Sequence, residues 1–75
     1  MNDRTERCFT EARNYAQETA NRLHCAASWV AFPPDPIDDD RDPAAMTKQN
    51  MDAALASAMA ALYRVRELRK LLSVA

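Results

Sequence analysis

The sequence predicts an all-α protein, two long antiparallel helices folded into a single hairpin. Three observations carry that reading. Apolar residues recur at steps of three and four in two separate segments, which is the period of a helix face. The segments are divided by the run FPPDPIDDDRDP, residues 32–43. None of the 75 residues is glycine. That absence disfavours β-hairpin turns, phosphate-binding loops and dinucleotide folds, which need positive φ or close backbone approach.

The first helix is expected over residues 4–32. Asp3 followed by Glu6 resembles a capping box, which would start it, and Met1-Asn2 are expected to fray. Its inward series is Phe9, Ala12, Ala16, Thr19, Leu23, Ala26 and Val30, broadened by Tyr15, Ala20 and Ala27. Pro33-Pro34 must end it, because proline disfavours helical geometry in the residue before it and lacks the N–H donor.

The connection, residues 33–43, is stiff through its prolines and acidic through Asp35, Asp38, Asp39, Asp40 and Asp42. It is longer than the roughly 2–8 residues usual between helices. Ile37 is its only aliphatic residue and is expected to pin the loop to the end of the hairpin.

The second helix is expected over residues 44–73. Asp42 suits the N-cap and Pro43 the first helical position. Ala, Met, Leu, Arg, Lys and Glu, all strong helix formers, dominate the stretch. Its apolar stripe is Met51, Leu55, Ala58, Leu62, Val65 and Leu72, with Arg69 at the missing rung. Ala54, Ala61 and Leu68 widen it on one flank. Laid antiparallel, the stripes would place Leu23, Leu55 and Leu62 at the centre of the core. Trp29, Met59, Tyr63, Leu71 and Val74 would stay outside it.

Size sets the next constraint. Below about 70–80 residues a single core seldom supplies more than about 3–5 kcal/mol. Cys8 and Cys25 lie seventeen residues apart on one straight helix, roughly 25 Å, too far to bridge. Free thiols and the lack of a long apolar run or secretory pattern lead us to expect a cytoplasmic chain that does not enter a membrane. Oligomerisation or a partner is the remaining source of stability, and a homodimer forming a four-helix bundle is expected, with Met59, Tyr63 and Leu71 at its interface.

No residue set points to catalysis, a cofactor or a metal. The aspartate run lacks the alternation, central glycine and terminal glutamate of a calcium loop. His24 and Cys25 are sequence neighbours, and on a helix they point about 100° apart, which does not suit a nucleophile and its base. The chain holds two cysteines and one histidine, too few for a zinc site built from these residues alone. Inward Arg69 is reminiscent of the basic residues in small helical-bundle enzymes such as chorismate mutases, but no paired carboxylates accompany it. The basic cluster Arg64, Arg66, Arg69 and Lys70 spreads around the helix, and a net charge of −1 gives no general pull towards nucleic acid.

The expected function is therefore non-enzymatic protein–protein interaction. Trp29 and the loop residues Asp38, Asp39 and Asp40 are the candidate contacts to a larger protein. At the level of architecture, a short glycine-free hairpin is similar to small bacterial and phage-encoded regulators that act as inhibitors by occluding a larger protein. The alternative is a nucleic-acid-associated regulator using the basic end of the second helix, and a helical-bundle enzyme ranks third.

Overall fold

Two helices and one connection make up residues 2–73, the part of the chain described by the computed structural model. Helix α1 spans Asp3–Ala31 and α2 spans Pro43–Ser73. Both run unbroken and lie antiparallel in a rod of 58 × 15 × 15 Å. The all-helical hairpin is as the periodicity predicts, with boundaries shifted by one residue at three of the four helix ends.

The shift at the first helix has a local cause. Asn2, not Asp3, is the cap: its side-chain oxygen accepts from the Thr5 N–H at 2.8 Å. Its carbonyl accepts from Glu6 N–H at 3.1 Å, the first bond of the helix. Asp3 and Glu6 then sit in the first turn, where negative charge offsets the positive end of the helix dipole. The helix stops where its last free donor is used. Phe32 N–H reaches the Ser28 carbonyl at 2.8 Å, and Pro33 has no N–H to continue with. At the other entry Asp42 is the cap, accepting from Ala44 N–H at 3.2 Å.

The helices meet through small residues, and here the structure corrects the expected core. In α2 the strip facing α1 is Thr47, Asn50, Ala54, Ser57, Ala61, Arg64, Leu68 and Leu71, alternating steps of three and four, each buried or half-buried. In α1 it is Thr5, Cys8, Ala12, Tyr15, Thr19, Ala26 and Trp29. Ala54 keeps 3% of its surface exposed and Ala26 5%. Leu23, Leu55 and Leu62, expected at the centre, keep 52%, 63% and 49%.

The reason is geometric. Two helices share only a narrow strip, and small side chains in it let the backbones approach closely. Large side chains one position away, about 100° round the helix, are left on the flank. At the terminal end the strip gains an apolar cluster, where Leu68 packs with Cys8 and Ala12, and Leu71 packs against them.

Two polar side chains in the strip turn back onto their own helices. Thr19 Oγ1 donates to the Tyr15 carbonyl at 2.9 Å, and Asn50 Nδ2 to the Met46 carbonyl at 2.9 Å. No buried side-chain nitrogen or oxygen among the described residues lacks a partner, so closing the strip leaves no desolvation debt there.

A seam of alanines tolerates little added volume. Ala54→Leu should pry the helices apart and cost about 1–3 kcal/mol or more, as overpacking does. The loss is measurable as a lowered melting temperature by circular dichroism. An unchanged melt would show that Ala54 does not face α1.

Candidate functional site

The helix pairing sorts the remaining surface into two unlike sides and two unlike ends. Phe9, Ala16, Leu23 and Val30 recur every seven residues along α1. They flank the seam on the same side as the Met51–Leu72 stripe of α2. Mid-rod, Leu23, Met51, Leu55 and Ala58 line one apolar groove with Thr19 and Ala54. The flank carries apolar residues along both helices, with exposed Arg69 as its one charged rung on α2. Its large side chains retain 42–70% of their surface exposed.

The opposite side is charged. Arg64 organises it. Its Nε donates to a Glu11 carboxylate oxygen, the one ion pair between α1 and α2 among the described residues. Its guanidinium carbon lies 5.6 Å from the Tyr15 ring centre and 5.2 Å from that of Tyr63, within cation–π range. Its carbonyl accepts from Cys8 Sγ at 3.3 Å. The Glu11 hydrogen bond, opposed in part by desolvation, raises the Arg64 pKa. Tyr63 and Leu71 line a groove here with Arg4, Arg7, Glu11 and Glu67.

The three residues expected at a dimer interface therefore do not form one apolar patch. Leu71 belongs to the hairpin's own core, because its position continues the seam one step beyond Leu68. Tyr63 sits among charges beside Arg64. Met59 is exposed on the back of α2, three and four residues from Leu62 and Leu55, at the edge of the apolar flank. Val74, expected with them, lies outside the described residues.

At the loop end the Pro/Asp segment is held by its own side chains. The Asp35 carboxylate accepts from Ile37 N–H at 2.9 Å, and its carbonyl accepts from both Asp38 and Asp39 N–H at 2.9 Å. This closes a tight turn at the tip. Ile37 does not pin the loop; it points into solvent with 92% exposed. The anchor is Arg41. Its Nε donates to both Asp39 carboxylate oxygens at 2.9 and 3.0 Å, and its backbone N–H donates to Asp39 Oδ1 at 3.1 Å. The guanidinium then lies over the Trp29 ring, 5.0 Å from its centre.

Trp29, Phe32, Pro34, Asp39 and Arg41 so line one shallow depression with Ser28. Of the expected partner-binding residues, Trp29 and Asp39 come together there, while Asp38 and Asp40 are exposed outside the depression. Arg41 was not singled out by sequence reasoning. An arginine two residues after an aspartate, in a proline-bounded loop, is the signal that could have found it.

Elsewhere the titratable residues stay dispersed. No group of three His, Cys, Asp or Glu side chains converges on a possible metal position among the described residues. Cys8 is buried and Cys25 exposed, both as free thiols. Arg69, expected inward, is exposed, and shares a shallow groove with Arg66, Lys70 and Ser73. No described helix is long and apolar enough to cross a membrane. Comparisons with protein-family models, with curated proteins and with solved structures each returned no match.

The clasp gives a pH test. Hydrogen bonds from the Arg41 side chain and then its backbone N–H lower the Asp39 pKa from 3.8 to about 2. A carboxyl depressed on folding contributes order that is present above its ordinary pKa and lost as pH falls towards the depressed one. Emission from Trp29, the single tryptophan, should therefore change between about pH 4 and pH 2. Arg41→Ala should produce that change at neutral pH and abolish the acid step. Emission indifferent to both would show that the clasp does not hold in solution.

Proposed function

We propose that this chain is a non-enzymatic interaction protein, a helical-hairpin regulator that dimerises and binds and occludes a larger protein. The observation that carries the reading is the division of the rod. One side is a largely apolar flank that a single hairpin leaves exposed, and one end is an ordered acidic surface. Extended apolar surface of this kind marks interaction sites. The loop end supports a partner contact of a different sort. Trp29 offers a half-buried ring, and tryptophan is enriched among the residues that dominate binding energy. Asp38 and Asp40 supply charge that would steer a basic partner. The reading assigns no catalytic residue, cofactor or metal.

Asp38→Asn, Asp39→Asn and Asp40→Asn, combined in one chain, should leave helicity intact. They should weaken by at least about tenfold the capture of a protein partner on the immobilised hairpin, about 1.4 kcal/mol. Mass spectrometry of the captured material against the unsubstituted chain is the comparison. Identical capture by the two chains would remove the loop from the binding surface.

A second reading has its own observation. Arg66, Arg69 and Lys70 gather round one groove at the terminal end of the rod, a place for phosphate contacts. Binding to duplex DNA that weakens steeply as salt is raised would favour it.

A further inference from the structure

We propose that the apolar flank is covered by a second copy of this chain lying antiparallel to the first, the loop end of one rod beside the terminal end of the other. This deepens, and rests on, the dimer in the reading above. It replaces Met59, Tyr63 and Leu71 with the flank as the contact surface and adds an orientation.

Three features argue for that occupant. The first is area. One long side of a rod 58 Å by 15 Å presents about 870 Å² in projection, close to the roughly 800 Å² per partner of a stable interface. A second hairpin matches the flank in length and width over its whole run.

The second is charge. Divided at mid-length, the terminal half (residues 2–17 and 57–73) carries seven basic and four acidic side chains, and the loop half (residues 18–56) three basic and seven acidic. The halves are therefore +3 and −4, which sum to the chain's −1. Antiparallel copies set each positive half against a negative one at both ends of the bundle. Parallel copies would set the acidic tips together, which like-charge repulsion disfavours.

The third is shape. Ala16 on α1 and Ala58 on α2 lie at mid-length, where a two-fold axis across the rod would pass. Small residues there permit close approach. Leu23, Leu55 and Leu62 to either side then pack in a self-complementary contact.

Sedimentation of the full chain and a loop-to-loop distance test this together. The chain should sediment as a dimer, twice 8.4 kDa, at micromolar concentration. Leu55→Glu with Leu62→Glu should weaken association at least about a hundredfold. Because that variant can lose its fold, the second measurement leaves the flank untouched. A spin label at Ile37→Cys, with Cys25→Ser, should give a distance near the 58 Å rod length.

A dimer whose labels lie within about 30 Å, the reach of rods packed side by side in parallel, would overturn the orientation. A dimer undiminished by the double glutamate variant would overturn the flank. A folded monomer would overturn the whole inference, yet leave standing any loop-dependent capture of a larger protein. Loss of that capture effect with the dimer intact would instead count against the occlusion reading alone.

Discussion

The closeness of the two backbones is the constraint from which the rest of this structure follows. A two-helix hairpin has one shared strip, and here alanine, serine, threonine and cysteine fill most of it. Such a strip gains little from hydrophobic burial per residue. What it gains is proximity, with dispersion contacts along two long backbones. The displacement of Leu23, Leu55 and Leu62 from the middle of the seam is the other half of the same fact. Bulk that would hold the helices apart is moved to the flank. The side-chain hydrogen bonds of Thr19 and Asn50 to their own helices belong to this logic, since they satisfy polar groups without a partner from the facing helix.

A seam of similar small residues is a weak ruler. Sliding one helix past the other by a heptad would bring alanine onto alanine or serine with little change. Arg64 supplies the missing register. It meets Glu11 and the Tyr15 ring on α1 from a fixed position on α2, and a slipped pairing would lose both. At the opposite end Arg41 does a comparable job for the loop, joining Asp39 to Trp29. Both locks use arginine, whose planar group can stack on a ring and donate in-plane at the same time.

Much of this fold could be read from the residues, and the errors share one cause. Helix lengths, the proline stop at Phe32 and the Asp42 cap followed from chemistry that acts within a few residues. The face assignment did not, because hydrophobic periodicity finds the greasiest stripe, and in this chain that is not the packed one. Ala54, Ala61 and Leu68 stood at one flank of the expected stripe when they were in fact its packed edge. The unbroken three-four alternation from Thr47 to Leu71 was visible throughout, but its polar members disguised it. At the loop end Trp29 and Asp39 were legible as surface features. Their joining through Arg41 depends on how the chain turns at Asp35, which spacing alone does not encode.

The two thiols carry a consequence of their own. Cys25 stands in water, and Cys8 is closed inside the seam with its Sγ bonded to the Arg64 carbonyl. One chain thus holds a reactive site and a protected one of the same chemical kind. Alkylation of Cys25 calibrates the intrinsic rate, and the slower modification of Cys8 reports how often the terminal half of the hairpin springs open. The ratio of the two rates is a local opening free energy read from an unmodified sequence, a gauge the molecule carries within its own register.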